Sequence, residues 1–266
     1  MKVFVFQGGL GNQIFEYAYY QHELKKNPRL KYLFPKVKCH NGFELDKWFE
    51  VKLFKASIWQ EWLYWFIVRL KSKGMGFWAN KMIVDKDASF SQDKYFAEGY
   101  LQSKRYLSTN FVKFRRMNLS AENQRFLQLI ESTQSVAIHV RRGDYLLPPY
   151  DSIYGGICTD EYYAHALELV RRTFDNPTFF VFSNDMDWVK NNLKLENAHY
   201  IDCNTGANSP LDMYLMSRTK GLILANSTFS FWGAQLNPSA KLVVYPKKWI
   251  NKFSVPDIFA NDWQGI

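Results

Sequence analysis

The chain has 266 residues, 47% of them hydrophobic and 18% aromatic, so burying a core is no difficulty and the length allows two modest domains or one large one. Its net charge of +9 suits a partner carrying phosphate: a nucleotide, a nucleic acid or an anionic membrane surface. Three scattered cysteines, Cys39, Cys158 and Cys203, exclude a disulfide framework and a zinc ribbon and point to a reducing compartment, while no run of 18 apolar residues could span a bilayer.

The start, MKVFVFQGG, reads as a first strand rather than a secretion signal. It runs into FQGGLGNQIFEYAYY (6–20), a glycine turn opening a segment with helical spacing. A dinucleotide fingerprint needs glycines at the first, third and sixth positions of such a turn. Gly9 and Gly11 fill two of them, but Ile14 stands at the third, and Leu33 and Phe34 occupy the place of the ribose-binding acid. What is left is a helix N-terminus flanked by Asn12 and Gln13, a seat for an anion or a sugar hydroxyl, or simply a tight connection.

Residues 31–95 are basic and aromatic. Within them IWQEWLYWFIVRLK (58–71), broken by Gln60 and Glu61, reads as an amphipathic helix that is either a core or acceptor-side wall or a membrane-surface contact. YFAEGYLQ (95–102) reads as a strand, and the polar stretch RRMNLSAENQ (115–124) marks the domain boundary, placed between 125 and 126.

The second half alternates regularly. SVAIHV (135–140), TFFVFS (178–183), HYID (199–202), GLILAN (221–226) and KLVVYP (241–246) have strand character. Between them, TDEYYAHALELVRR (159–172, capped by Thr159), DWVKNNL, SPLDMYLMSR (209–218) and TFSFWGAQL (228–236) have helical character. Strands alternating with helices predict a parallel sheet covered on both faces, an α/β fold.

Three clusters carry chemistry. In VAIHVRRGDY (136–145) a strand ends on two arginines, at the edge where open α/β sheets bind ligands. Alternation puts His139 and Arg141 on one face, so Arg141 is the phosphate fork; Arg142 is expected to pair with Asp144 or line the cleft. In LILANSTFSFWGAQLN (222–237) Asn226, Ser227, Thr228 and Ser230 crowd a helix start, where hydroxyls and N–H groups can seat a phosphate and also cap the helix. Asp185 and Asp187 after TFFVFS could hold a divalent metal, but a helix cap is the preferred reading, so no metal is expected. There is no P-loop, HExxH or GxSxG sequence.

Taken in order, GGLGNQIF, HVRRGDY, FSNDMDWV, PLDMYLMS and ANSTFSFWGA resemble the blocks of the bacterial α-1,2-fucosyltransferases of glycosyltransferase family 11; SFW stands where that family commonly has SWW. The resemblance implies two Rossmann-like domains facing a cleft, the GT-B-type arrangement. Residues 1–125 would form the N-terminal acceptor-side domain and 126–266 the C-terminal domain binding GDP-fucose. It implies transfer with inversion, without metal or other cofactor, to a galactose-containing glycan, in the cytoplasm with peripheral contact to the inner membrane left open. Carried over residue by residue, Arg141 contacts the β-phosphate, His139 lies near the nucleoside, Asp212 sits by the guanine, Thr228 and Ser230 line the diphosphate, and Asn12 faces the sugar.

Gly9, Gly11, Arg142, Asn226 and Ser227 complete the expected donor site, with Arg141, Asp144 and Asn12 as the catalytic set. The general base is open among Asp144, Glu16 and Asp151 in that order. Two rivals stand beside this reading: a metal-dependent transferase using Asp185 and Asp187, and a non-catalytic nucleotide- or RNA-binding protein explaining the charge. Against RNA, the aromatics do not interleave with lysines as stacking platforms require. The acceptor would be decided by residues 30–130, which carry no recognisable motif.

Overall fold

The computed structural model describes residues 1–35, 41–75, 82–85 (backbone only for 83–85), 94–107 and 111–266, so Cys39 and part of the basic middle segment lie outside the described residues. Two compact units are present, Met1–Arg115 and Arg116–Ile266. The division falls ten residues before the expected boundary. The helix Ala121–Ser132 belongs wholly to the second unit, where its Asn123 bonds to Asn204.

In the first unit, β1 (Val3–Val5), β2 (Lys31–Leu33), β3 (Ile83–Asp85) and β4 (Phe96–Glu98) form a parallel sheet in the order β2-β1-β4-β3. Helix α1 (Leu10–Lys26) follows β1 through the glycine turn; short α2 (Leu45–Trp48) and α3 (Ile58–Ser72) come after β2. Gly8 has φ +72°, and a Cβ there would stand 2.9 Å from the Asn12 amide, so this turn requires glycine. The helix starts at Gly9 with no side-chain cap and no acid in its first turn.

Gln13 locks the turn in place. Fully buried, it donates to the carbonyls of Gly8 and Gly42, both at 2.9 Å, and its oxygen accepts from the N–H groups of Glu44 and Leu45. Every hydrogen-bonding position of the amide is filled, as a buried polar group demands.

The second unit holds a six-stranded parallel sheet ordered β10-β9-β8-β5-β6-β7. Its strands are β5 (Ser135–Val140), β6 (Thr178–Ser183), β7 (Ala198–Ile201), β8 (Gly221–Ile223), β9 (Leu242–Tyr245) and β10 (Gln264–Gly265). The helices are α4 (Ala121–Ser132), α5 (Asp151–Tyr154), α6 (Asp160–Thr173), α7 (Met186–Asn192), α8 (Pro210–Met216) and α9 (Thr228–Gln235). Chain order runs outward in one direction from β5 and in the other from β8. The strand order therefore reverses between these two strands, the kind of point at whose carboxyl ends open α/β sheets bind ligands.

Residues 135–140 and 178–183 pair along their full length, His139 opposite Phe182. The core beneath gathers Val136, Ile138, Val140, Val181 and Ile223 against Tyr162, Tyr163, Ala166 and Val170 of α6. Thr159 caps that helix by accepting from the Tyr162 N–H. The run GLILAN pairs only as far as Ile223: Leu224 still donates to Val244, but Ser227 N–H turns back to Ala225 O at 2.7 Å and the strand ends.

Candidate functional site

The site grows from the carboxyl end of β5. His139 is buried, its carbonyl accepts from the Tyr163 hydroxyl at 3.1 Å, and its ring lies 5.9 Å from Phe229 at the start of α9. Burial first and the neighbouring Arg141 charge second push its pKa down to about 3, so the imidazole is neutral at physiological pH. A neutral ring can exchange hydrogen bonds with a ligand but cannot supply a charge.

Two residues on, the Arg141 guanidinium meets the Asp144 carboxylate at 2.9 Å and stands 5.5 Å from the centre of the Tyr145 ring. The Tyr145 hydroxyl donates to Asn226 O at 3.1 Å, tying the loop after β5 to the loop after β8. Arg141 Nε and His139 Nδ1 are both buried without a hydrogen-bond partner. An unmet buried donor costs roughly 1–3 kcal/mol, and such groups call for a ligand.

Arg142 goes elsewhere. Its guanidinium stacks 3.8 Å over the Trp188 ring and its Nε faces Asp185 Oδ2 at 3.4 Å. The expected Arg142–Asp144 pairing is therefore corrected: Arg141 takes Asp144. The two arginines leave the strand on opposite sides, and α7 waits on the Arg142 side. Asp185 also accepts from the Trp188 N–H with its other oxygen, capping α7, so both its oxygens are engaged. Asn184 bridges the loop, accepting from the Arg142 N–H at 3.0 Å and reaching Asp144. Among the described residues no three His, Cys, Asp or Glu side chains are grouped to hold a metal ion.

A cavity of about 390 Å³ opens here, within the usual size of small-ligand sites. Among its lining residues are His139 and Arg141, Ser183 and Asn184 at the end of β6, and Asn204, Asp212 and Phe229. Asp212 is held by Asn204, which donates to its Oδ1 at 2.8 Å. Asn204 is itself fixed by a reciprocal amide pair with Asn123, at 2.8 and 2.9 Å. Burial raises the Asp212 pKa to about 7, partly offset by the Asn204 hydrogen bond.

Three of the expected site residues, His139, Arg141 and Asp212, share this cavity. Asn226 is occupied by structure: its amide donates to the carbonyls of Tyr154 and Trp249 and accepts from Cys158. Ser227 caps α9 by accepting from the Phe229 N–H, and Ser230 is fully buried, bonded to the carbonyls of Ala225 and Ser227. Thr228 stays half-buried at the first position of α9. Gly9, Gly11 and Asn12 belong to the first unit, where Asn12 Oδ1 accepts from Gln102 at 3.1 Å.

Glu16, the second candidate base, lies on α1. It is fully buried, both its oxygens accept from the Gln7 N–H, and burial holds its pKa well above the usual carboxylate range. Asp151 is exposed at the start of α5 and accepts from the Ser152 N–H. Sequence reasoning missed Asn184, Asn204 and Asn123, which orient the loop and the acid; none stands at a position that composition or periodicity would mark.

The glycosyl transferase family 11 profile matches residues 3–266. An alpha-1,2-colitosyltransferase of Escherichia coli is 32% identical over 92% of this chain and 91% of its own length. The O-antigen biosynthesis glycosyltransferase WbnK of Escherichia coli is 34% identical over 51% of this chain and 45% of its own. Galactoside alpha-(1,2)-fucosyltransferase 1 of Ateles belzebuth is 27% identical over 56% and 44%. Among solved structures, the ADP-heptose lps heptosyltransferase II of E. coli superposes with a TM-score of 0.51 at 12% identity, covering 100% of this chain and 90% of that one. That likeness concerns the fold, two Rossmann-like units of the GT-B type. With the profile spanning almost every residue, the chain belongs to glycosyltransferase family 11.

Proposed function

We propose that the chain is an inverting, metal-independent α-1,2-fucosyltransferase that moves fucose from GDP-fucose to a hydroxyl of a galactose-containing glycan, in the assembly of a surface polysaccharide such as an O-antigen. The observation that carries this reading is the second-unit cavity, with the unmet Arg141 Nε and His139 Nδ1 and the Asp212 carboxyl around one nucleotide-sized space. In this reading Arg141 holds the diphosphate, where negative charge grows as GDP departs; a fixed donor at such a point is typically worth ~3 kcal/mol, or ~100-fold in rate. Neutral His139 meets the ribose, and ionised Asp212 accepts from the guanine N1–H and 2-amino groups.

The reading without metal is supported by Asp185 having both oxygens engaged, by the Arg142 guanidinium and the α7 backbone. Thr228 is the hydroxyl left for the diphosphate, since Ser230 is enclosed. Asp144 is held against Arg141, which makes it a positioning carboxylate for the fork more readily than a base. Asn12, Gly9 and Gly11 are proposed contacts of the donor sugar. A cytoplasmic place, with peripheral attachment to the inner membrane, goes with the use of a nucleotide sugar in surface-glycan assembly.

A second donor has an observation behind it: the relative matched over 92% of this chain is a colitosyltransferase. Colitose is fucose without the 3-hydroxyl, so the same GDP-binding cavity serves both. A panel of GDP-fucose, GDP-colitose, GDP-mannose, UDP-galactose and ADP-heptose, with nucleotide release in the presence of a β-galactoside as readout, tests the proposal. Turnover with GDP-fucose above the rest is expected. Preference for GDP-colitose would reassign the donor sugar, and preference for a uridine or adenosine donor would overturn the reading.

A further inference from the structure

The described part of the first unit carries one helix face whose side chains the fold does not cover. Helix α3 begins at a full capping box: Ser57 and Gln60 bond each other's backbone N–H, and Gln60 also donates to the Tyr95 hydroxyl at 3.2 Å. Its inner side is pinned by Tyr64, which donates to Glu98 at 2.9 Å, and by Ile67, both packed with Val3, Val5, Leu33 and Phe96. The helix is therefore fixed in position, and its outer side is turned to solvent by construction.

That outer side is strongly apolar. Ile58, Trp59, Trp62 and Phe66 are 74%, 82%, 70% and 59% exposed, with Trp65 beside them at 40%. At 100° per residue, positions 58, 59, 62, 65 and 66 share one face of the helix, opposite Tyr64 and Ile67. Soluble surfaces rarely gather so much aromatic area without a partner. Basic residues flank the patch: exposed Lys52 and Lys55 precede the helix, and exposed Arg69 and Lys73 end it. Glu61 is the one acid between positions 52 and 75.

We propose that this face of α3 is a membrane-binding surface, lying flat in the headgroup region of an anionic bilayer. Fifteen residues make a helix of about 22 Å, too short to cross a bilayer but suited to lying within its interface. Tryptophan favours the headgroup level, and the basic flanks attract anionic lipid. Charge complementarity selects this occupant over a second copy of the chain. Two copies meeting by this face would bring like basic flanks together with a single acid from each helix to offset them. The proposal does not depend on which sugar is transferred.

The test is co-sedimentation of the full chain with vesicles of phosphatidylglycerol and phosphatidylcholine, with brominated-lipid quenching of tryptophan fluorescence to report insertion. Binding to phosphatidylglycerol vesicles, quenching by bromines near the headgroups, and weakening with added salt are expected. Trp59→Ser with Trp62→Ser should lower partitioning at least 10-fold. Arg69→Gln with Lys73→Gln should lower it roughly 25-fold on anionic vesicles alone, at about fivefold for each basic residue. All four positions are exposed, so circular dichroism should find the variants folded. The proposal is overturned if the native chain ignores anionic vesicles, or if the tryptophan variant binds them as well as native. It also fails if sedimentation velocity without lipid finds a dimer that the tryptophan variant turns into monomer.

Discussion

Asp212→Asn should make the protein more stable and, if this carboxylate reads guanine as proposed, worse at binding GDP. The folded chain gives up the Asp212 proton at about pH 7 because burial disfavours the charge; the unfolded chain gives it up near the ordinary value of 3.8. Between those values the folded state holds more protons than the unfolded state, so stability falls as pH rises, and it levels off above pH 7. The full shift corresponds to ~4 kcal/mol. Water reaches Asp212 through the cavity it lines, so about half, ~2 kcal/mol, is the figure to expect.

An amide carries no charge to desolvate, and its oxygen can still accept from Asn204. The variant should therefore melt about 4–8 °C higher at pH 8, and the gain should shrink toward pH 5, where the native carboxyl is already protonated. Its GDP affinity should meanwhile fall roughly 100-fold, because an amide cannot accept from both guanine donors, with ADP affinity nearly unchanged. Scanning calorimetry at the two pH values and titration calorimetry with GDP and ADP measure this. Equal weakening of GDP and ADP, or a loss of stability that ignores pH, would refute the reasoning.

Arg141→Ala should lower transfer at least ~100-fold, and Arg141→Lys should recover little, because a point charge cannot make the bidentate contact; near-normal turnover of the lysine variant would remove the fork. Turnover should survive EDTA. Loss that Mn²⁺ restores, reproduced by Asp185→Ala, would establish a metal site, whereas a missing cap alone should cost only ~1 kcal/mol of stability. Gly143→Ala should reduce kcat/KM at least tenfold, because Gly143 has φ +20° and a Cβ there collides with the Asn184 amide that holds Arg142 and Asp144. Unchanged kinetics would show the loop free to adjust.

Much of the second unit was legible because its central strands are buried on both faces and read as continuous apolar runs. The segments 135–140 and 178–183 match the observed strands residue for residue. GLILAN overran its strand because Leu224 and Ala225 are as buried as paired residues while the backbone is already turning. Burial and pairing leave the same mark on a sequence. Helix α4 was not foreseen: Phe126, Leu127 and Ile130 share a face at helical spacing with Asn123, but the polar run RRMNLSAENQ leading into them reads as a boundary and hides the helix start.

The site was legible as charges but not as partnerships. Alternation along β5 put His139 and Arg141 on one face, and the cavity holds both. Which arginine would take which carboxylate depended on α7 lying beside Arg142, a contact between residues 43 apart that no local pattern encodes. The asparagines that set Asp212 in place are harder still to read. Asn123 and Asn204 meet across 81 residues, one in the first turn of a helix and the other in a loop, and at such places asparagine usually means only a helix start or a turn. Their reciprocal pairing matters because it satisfies the amides with each other and leaves the Asn204 N–H to fix one oxygen of Asp212. Arg141 Nε and His139 Nδ1 are left unsatisfied a short way off, at a cost of roughly 1–3 kcal/mol each. A fold that completes its remote amides yet leaves two atoms unmet at the cavity has put its unsatisfied groups where the diphosphate and ribose of the proposed donor would complete them.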